Sequence, residues 1–327
     1  MILLIPAAGK GKRLRPQTYV LPKPLIKVAG KPIIAHVIDR VPLEKIEKIL
    51  LIISPNDNSN GLVEFVSSYV GNKEVKGIIQ DKPLGLAHAI YQAKDYIDSD
   101  LLIVLSDTIF EGKFNFNSNF IAVKKIENPR RFGVISIGED GYIKDMVEKP
   151  EVPPSNYAII GVYYIKDSEK LFHSIEEIIE KDIKTKDEYQ LTDALRLMLK
   201  KGVKIKPFEV SLWLDTGKPE ALLEANKILL KKQMTKRVPQ RLKDCLIIPP
   251  VYMDEKEIEL ENCIIGPYVS LGKSVKVKSS IISNSIIDDG AVIENCILEN
   301  SIIGKEATLK REKTHINISA HSQIIYR

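Results

Sequence analysis

The sequence predicts an α/β fold with a Rossmann-like, mostly parallel sheet, followed by a left-handed parallel β-helix. Two observations support the sheet. Short continuous apolar runs alternate with helical stretches over the first two-thirds of the chain, and polar residues directly follow several of these runs. One observation supports the β-helix: helical periodicity ends near Leu246, and a short motif recurs from there onward.

The first two-thirds of the chain resolves into predicted strands and helices. The strands are rich in Ile, Leu and Val, as is typical of strands buried on both faces. They are Ile2–Pro6, Ile49–Ser54, Val75–Gln80, Leu101–Ser106, Phe120–Lys124, Gly133–Ile137 and Ala158–Ile165. The predicted helices are Pro32–Arg40, Leu62–Tyr69, Leu86–Tyr96, Lys170–Lys181, Leu191–Lys201 and Pro219–Lys232.

The last third carries the repeat. A small residue precedes each Ile-Ile or Ile-Leu pair, and Cys263, Ser280 and Cys296 are spaced by 17 and 16 residues. Such a period indicates a triangular β-helix whose coils stack equivalent side chains in ladders. We therefore expect an α/β domain over residues 1–235, the part expected to carry catalysis, and a β-helix, or hexapeptide-like repeat, domain over residues 236–327.

Composition argues against several classes of function. The net charge of +5 is small beside 48 basic and 43 acidic residues, so no nucleic-acid partner is expected. No apolar run is long enough to span a membrane, and the first five residues are expected to form a buried strand rather than a signal peptide. The three cysteines are odd in number and lack CxxC spacing, which predicts reduced thiols and a cytoplasmic protein.

The strongest chemical signal is the loop after the first strand, Pro6–Pro16, together with the PKP element at Pro22–Pro24. Missing side chains at Gly9 and Gly11 let backbone N–H groups approach phosphate oxygens. Arg13 and Lys23 supply positive charge. The P-loop pattern is absent, and the dinucleotide pattern fails where it needs a glycine.

These residues resemble the signature of the sugar-1-phosphate nucleotidylyltransferases, most closely the long-form glucose-1-phosphate thymidylyltransferases. The resemblance covers about the first 230 residues and recurs in chain order. Its further segments are Gln80 with Pro83–Ala89, Leu105–Phe110, Phe132–Val134, Glu148–Pro150, Asn156–Ala158, Glu188–Asp193 and Trp213–Gly217.

The resemblance implies transfer of a nucleotidyl group from dTTP or UTP to a sugar 1-phosphate, with glucose 1-phosphate as the expected acceptor and with release of pyrophosphate. Asp107 and Asp215 would hold Mg²⁺, and the implied catalytic residues are Arg13, Lys23, Asp107, Lys149 and Asp215. The implied nucleotide-binding residues are Ala7, Ala8, Gly9, Lys10, Gly11, Gln80, Pro83 and Gly85. The implied sugar-phosphate-binding residues are Gly133, Glu148, Lys149, Asn156, Ile159, Tyr163 and Gln190.

Two alternatives to this single activity stay open at the level of sequence. The chain could be a non-catalytic assembly or regulatory homologue, although the intact charged residues argue against that. It could also be bifunctional, with an acyltransferase tail, for which His315 and His321 are the only tail histidines. The tail is expected to be structural and to favour a homo-oligomer, and His88 is interpreted as a surface or helix residue.

Overall fold

A computed structural model describes residues 1–55, 58–166, 168–232, 242–254 and 257–311. By its internal contacts the chain divides into two compact units. The first, here the catalytic unit, contains residues 1–27 and 31–225, and the second, here the β-helix unit, contains residues 28–30 and those from 226 onward. The predicted boundary between residues 235 and 236 and the tail histidines His315 and His321 lie outside the described residues.

In the described residues, the catalytic unit is built on thirteen strands and on helices that pack around them; one of these strands, Lys27–Val28, ends in the β-helix unit. The strands are β1 (Ile2–Pro6), β2 (Lys27–Val28), β3 (Lys31–Pro32), β4 (Lys48–Ile53), β5 (Glu74–Ile79), β6 (Leu101–Val104), β7 (Thr108–Glu111), β8 (Phe120–Lys125), β9 (Gly133–Ile137), β10 (Ile143–Glu148), β11 (Tyr157–Ile165), β12 (Lys206–Glu209) and β13 (Leu212–Asp215). The helices are α1 (Ile33–Ile38), α2 (Asn58–Val70), α3 (Leu86–Tyr91), α4 (Ser168–Glu180), α5 (Leu191–Lys200) and α6 (Pro219–Lys232), whose residues from Asn226 onward fall in the β-helix unit.

A nine-stranded sheet forms the centre of the catalytic unit, in the order β10-β9-β11-β6-β1-β4-β5, with β8 joining β11 to β12. Strands β6, β1, β4 and β5 run parallel, and β11 pairs antiparallel with its neighbours. The side chains of Ile2, Leu3, Leu4 and Ile5 are fully buried, as the continuous apolar run predicts. Each such side chain contributes roughly 1.5–3 kcal/mol to folding. The predicted Rossmann-like sheet is confirmed.

The β-helix unit consists of short parallel strands stacked into three sheets. The first sheet contains β14 (Leu242–Lys243), β17 (Glu259–Glu261), β20 (Lys276–Lys278), β23 (Val292–Glu294) and β26 (Thr308–Lys310). The second contains β15 (Leu246–Ile247), β18 (Ile264–Ile265), β21 (Ile281–Ser283) and β24 (Ile297–Glu299). The third contains β16 (Val251–Met253), β19 (Val269–Leu271), β22 (Ile286–Ile287) and β25 (Ile302–Ile303). This is the left-handed β-helix that the repeat predicts.

The repeat motif has a backbone cause. Successive coils turn a corner at residues with positive φ, among them Asn262 (50°), Ser279 (47°) and Asn295 (55°). Asn tolerates this left-handed conformation better than most side chains, which explains why it precedes the small residue of the motif. The Ile-Ile pairs then form the strand, with one member inward, as Ile265 and Ile282 are fully buried.

Among the described residues, no helix combines the length and the apolar composition needed to cross a membrane.

Candidate functional site

The loop after β1 is shaped by one of its glycines and left open at the other. Gly11 has a φ of +57°, and a Cβ there would lie 2.9 Å from Cγ2 of Thr18, whose hydroxyl donates to the Gly11 carbonyl at 2.9 Å. A Cβ on Gly9 would meet nothing within 4 Å, and Gly9 is exposed. Packing within the chain therefore accounts for Gly11, while the open surface at Gly9 suits a ligand that approaches the backbone closely. Three neighbouring residues are also predicted to bind the nucleotide, namely Ala7, Ala8 and Lys10, and of these Lys10 is exposed.

The two predicted metal ligands lie side by side. Asp107 lies in the turn between β6 and β7, and Asp215 is the last residue of β13. Strand β13 pairs antiparallel with β7, so that Asp215 lies opposite Thr108. The Thr216 hydroxyl donates to the Asp107 carbonyl oxygen at 2.9 Å, which holds the two segments together. One strand pair thus brings together two aspartates that are more than a hundred residues apart in the sequence.

Two cationic side chains reach the same place. The Lys23 ammonium forms an ion pair with Oδ2 of Asp107, and Nη2 of Arg13 lies 3.4 Å from the Cβ position that Gly217 leaves empty. The pKa of Asp215 is raised by burial first and then by the negative charge of Asp107, while Lys23 and Arg13 act in the opposite direction. The Gly217 N–H also donates to Oδ1 of Asp215, at 3.0 Å. Asp107, Lys23 and Arg13 therefore each interact electrostatically with Asp215, whereas Lys149, the fifth predicted catalytic residue, lies beside Glu148.

This cluster, formed by Arg13, Lys23, Asp107 and Asp215, combines two cations with two carboxylates at the carboxyl ends of strands. Within the ranges that the structure describes, no group of three or more His, Cys, Asp or Glu side chains could surround a metal ion. Any divalent cation here would thus take two protein carboxylates and complete its shell with ligands from water or substrate.

A second cluster surrounds Glu148 at the end of β10. The Thr192 hydroxyl donates to Oε2 of Glu148 at 2.7 Å, and the Lys149 ammonium lies 3.4 Å from Oε1. Gly133 lies close to Ile159, Glu148 and Thr192. A Cβ on Gly133 would be 2.9 Å from Ile159 Cδ1, 3.0 Å from Glu148 Oε2 and 3.1 Å from Thr192 Oγ1. Four of the predicted sugar-phosphate-binding residues are brought together here, and the glycine is required by their close packing.

Lys149 and Tyr163 complete the surroundings of Glu148. Lys149 adopts a φ of +43°, unusual for a lysine, and its N–H donates to the Phe132 carbonyl at 3.0 Å. Non-glycine residues in this conformation are enriched at functional sites, where the surrounding structure imposes it. Tyr163 is buried, and burial, followed by the charge of Glu148, raises the pKa of its hydroxyl. The hydroxyl therefore stays protonated as a potential donor.

Gln80, one of the predicted nucleotide-binding residues, is buried directly after β5. Its amide nitrogen donates to the Gly85 carbonyl at 3.3 Å and lies 3.1 Å from Nδ1 of His88. A Cβ on Gly85 would lie 2.5 Å from the Tyr189 carbonyl oxygen, and the φ of Gly85 is +118°. Gly85 is thus required by the chain itself, and Pro83 lies exposed in the adjoining loop.

Two predicted sugar-binding residues have other contacts. The Gln190 amide donates to the Thr185 carbonyl at 3.3 Å and to Oε2 of Glu188 at 3.0 Å, so it braces the loop before α5. Asn156 lines an open groove of about 470 Å³ beside Asn128 and Arg130.

Three residues of this region were not singled out as site residues from the sequence. Thr192 orients Glu148 through its hydroxyl, and His88 orients Gln80 through Nδ1. The indole N–H of Trp213 is buried without a hydrogen-bond partner among the described residues, and its ring lies edge-on to Phe132, with the centroids 4.8 Å apart. Each lies inside or next to a recognised motif, and that proximity was the only signal available.

Comparison with known proteins identifies the family. The family model described as Nucleotidyl transferase matches residues 2–232. A protein of Methanocaldococcus jannaschii named Bifunctional protein GlmU is 37% identical over 240 residues, 71% of this chain and 55% of its own. The low-salt glycan biosynthesis nucleotidyltransferase Agl11 of Haloferax volcanii is 34% identical over 244 residues, 71% of this chain and 66% of its own. The chain thus matches only about half to two-thirds of the length of these relatives.

Solved structures agree with this result. A UDP-glucose pyrophosphorylase complexed with UDP-glucose superposes with a TM-score of 0.60 at 26% identity, covering 71% of this chain and 99% of its own. A Bacillus anthracis structure assigned as a glucose-1-phosphate thymidylyltransferase, in complex with sucrose, gives a TM-score of 0.61 at 27% identity, covering 73% and 98%. The resemblance drawn from the sequence is confirmed, and the chain belongs to the nucleotidyl transferase family.

Proposed function

We propose that this chain is a sugar-1-phosphate nucleotidyltransferase. It transfers the nucleotidyl group of a pyrimidine nucleoside triphosphate, dTTP or UTP, to a sugar 1-phosphate such as glucose 1-phosphate, and releases pyrophosphate. The observation that carries the proposal is the cluster of Arg13, Lys23, Asp107 and Asp215. Its charges suit a reaction in which two anions must meet, because catalysis of phosphoryl transfer is mainly charge neutralisation and positioning.

The acidic pair fits a divalent cation. The charge of Asp107 helps to raise the pKa of Asp215, after burial, and a cation between the two carboxylates would remove that repulsion. Oxygen ligands of this kind are those that Mg²⁺ prefers. In the proposal Asp107 and Asp215 hold one Mg²⁺, which when bound neutralises charge on the triphosphate.

The protein side chains supply the remaining interactions. Arg13 binds phosphate oxygens with its planar fork, and Lys23 acts as a point charge, so that both stabilise the triphosphate and the departing pyrophosphate. Lys149 binds the phosphate of the sugar, and Glu148, held by Thr192, accepts hydrogen bonds from sugar hydroxyls. No general base is required, because the attacking phosphate oxygen is already ionised at neutral pH.

The orientation of the Gln80 amide favours a pyrimidine as the base of the nucleotide. Its amide nitrogen is occupied by Gly85 and His88, so its orientation is set and its carbonyl oxygen is the group left to accept the imide N–H of thymine or uracil. The choice between dTTP and UTP depends on one methyl group and one hydroxyl. The methyl contact is worth only about 1–3 kcal/mol.

The decisive experiment is a pyrophosphate-release screen of the full chain with Mg²⁺. Four nucleoside triphosphates are crossed with glucose 1-phosphate and amino-sugar 1-phosphates. We expect turnover with dTTP or UTP, and its loss when a chelator removes the metal. Absence of turnover with every pair would support the non-catalytic homologue instead.

A matched pair of variants tests the sugar-phosphate subsite. Lys149→Ala should raise KM for the sugar phosphate at least about 10-fold while leaving KM for the triphosphate nearly unchanged, because one charge-assisted contact is removed. Lys144→Ala removes an exposed lysine from β10, the strand that leads to Lys149, and should change neither constant. Equal effects of the two substitutions would contradict the role of Lys149.

The relatives named Bifunctional protein GlmU keep a second activity under consideration. Acetyl-CoA turnover on an amino-sugar phosphate would reveal an acyltransferase tail. Our proposal is that the tail is structural and supports a homo-oligomer, which light scattering of the full chain tests directly: a monomer would argue against it.

A further inference from the structure

One ladder of the β-helix unit begins a coil earlier than the sequence repeat suggested. The N–H of Leu246 donates to the Cys263 carbonyl, that of Ile264 to the Ser280 carbonyl, and that of Ile281 to the Cys296 carbonyl. These bonds are equivalent in successive coils. They place Cys245, Cys263, Ser280 and Cys296 at the same position of four stacked coils.

The first two members of this ladder are in direct contact. The Sγ atoms of Cys245 and Cys263 are 3.1 Å apart. In-register strands are separated by about 4.8 Å, which lies within the roughly 4.4–6.8 Å between Cα atoms that a disulfide accepts. Cys263 and Cys296 are separated by Ser280, one coil further, so a bond between them would need the backbone to move.

The two thiols differ in accessibility. Cys263 is only 3% exposed, whereas Cys245 is partly exposed. Burial, followed by the contact with Cys245, raises the pKa of the Cys263 thiol. An oxidant in solution therefore reaches Cys245 first, and Cys263 is positioned to react with whatever sulfur compound forms there.

We propose that Cys245 and Cys263 form a reversible disulfide that links the first two coils of the β-helix. The oxidant is a low-molecular-weight disulfide. The Cys245 thiolate attacks one of its sulfurs, forming a mixed disulfide and releasing one thiol. The Cys263 sulfur, on losing its proton to solvent, then attacks Sγ of Cys245, and the second thiol leaves. Two protein thiols are oxidised, and one external disulfide is reduced to two thiols.

The bond would close a loop of 18 residues and so restrict the unfolded chain more than the folded one. Because the coils are already stacked at the required spacing, little rearrangement of the folded state is needed. The oxidised β-helix should therefore resist thermal unfolding better than the reduced one. Cys245 and Cys263 have no place in the proposed chemistry of nucleotidyl transfer, so that rate should be the same in both forms.

The test uses the native full chain incubated with oxidised glutathione. Titratable thiols should fall from three to one, the intact mass should fall by about 2 Da, and peptide mapping should find Cys245 joined to Cys263. Dithiothreitol should restore the three thiols. The melting temperature of the oxidised protein should be higher by several degrees.

Two variants separate this outcome from general thiol oxidation. Cys296→Ser should lose both of its remaining thiols to the disulfide, as the wild type loses two of three. Cys263→Ser should form no internal bond and should instead gain one glutathione on Cys245. Cys245→Ser serves the same purpose if that variant fails to fold. Persistence of three thiols in the native protein, pairing through Cys296, or bonds only between chains would each overturn the proposal.

Discussion

The catalytic unit and the β-helix unit both rest on parallel strands, yet they place their charges differently. In the catalytic unit, Lys23 and Asp107, separated by 84 residues in sequence, form an ion pair at a strand end, and Asp215 is buried beside them. In the β-helix unit, lysines pair with glutamates of the neighbouring coil. Examples are Lys276 with Glu259 at 3.1 Å and Lys278 with Glu261 at 3.2 Å.

The two arrangements of charge differ in their effect on folding stability. Burying Asp215 near a second carboxylate raises its pKa and disfavours its ionised form, and the charges of Lys23 and Arg13 offset this only in part. The exposed coil-to-coil pairs contribute little each, since surface ion pairs are worth about 0–1 kcal/mol. The β-helix instead depends on its stacked apolar interior, in which Ile265, Ile282 and Ile293 are fully buried. Under the proposed function, charge serves chemistry in the catalytic unit, whereas in the β-helix unit it forms surface pairs.

The largest expected effect breaks the catalytic side of this comparison. Asp215→Asn should lower kcat by about 10³-fold, because a charge that organises the transition state is removed. The same variant should melt at a higher temperature than the wild type in the presence of chelator. The sign follows from the raised pKa: at neutral pH the ionised carboxylate costs folding free energy, and the amide does not. Pyrophosphate release and thermal unfolding measure the two effects.

Asp145→Asn is the matched control. Asp145 accepts hydrogen bonds from Arg196 at 2.6 and 2.8 Å. Burial acts to raise its pKa, but the bonds from Arg196 and the Met146 N–H outweigh that and lower it. Its charge therefore stabilises the fold, and its loss should reduce the melting temperature while leaving kcat unchanged. Full turnover by Asp215→Asn would refute the proposed role of that residue.

An intermediate effect tests the apolar interior of the β-helix. Ile282→Ala should lower the free energy of unfolding by about 3 kcal/mol, because the side chain is fully buried and leaves a cavity. Its neighbour Ile281, on the same strand, is 42% exposed, and Ile281→Ala should cost less than about 1 kcal/mol. Denaturant unfolding of the full chains gives both values. Similar losses would mean that the interior does not dominate the stability of this unit.

The sequence predicted the scaffold better than it predicted the side-chain contacts. Short runs of mainly apolar residues favour strands that pack into the sheet, and β1 and β9 have the predicted bounds, Ile2–Pro6 and Gly133–Ile137. Strands β7, β10, β12 and β13 were not predicted, since they are short or mix polar with apolar residues. The predicted helix Leu86–Tyr96 ends as α3 at Tyr91, followed by a separate 3-10 turn at Lys94–Tyr96.

The candidate site shows the same limit. The motifs identified Asp107 and Asp215, but their proximity depends on the pairing of β7 with β13, which no local pattern encodes. Gly85 was predicted only to bind the nucleotide, and its contact with the Tyr189 backbone comes from a segment about a hundred residues away. His88 was interpreted as a surface or helix residue, and it does lie on α3. Its contact with Gln80 requires the turn between them to be known.

The smallest expected effect concerns the pH dependence of that contact. Burial, followed by the positive charge of Lys82, lowers the pKa of His88 from its ordinary value of 6.5. Because the folded pKa lies below 6.5, the unfolded chain binds this proton more readily than the folded chain as the pH falls below 6.5. The free energy of unfolding that depends on neutral His88 is therefore fully present above pH 6.5 and is lost as the pH falls through the folded pKa. The slope cannot exceed about 1.4 kcal/mol per pH unit for one group. Protonation would also prevent Nδ1 from accepting the Gln80 amide and should weaken nucleotide binding.

His88→Gln removes this titration and keeps a side chain that can accept a hydrogen bond. Relative to this variant, the wild type should lose stability and nucleotide affinity between pH 6.5 and the folded pKa, measured by thermal unfolding and by titration calorimetry. His173→Gln, an exposed histidine on α4, should retain the wild-type profile. If the wild type and His88→Gln show the same pH profile, the Gln80–His88 contact does not set the orientation of the base-reading amide. The pyrimidine preference would then need another structural cause within the catalytic unit.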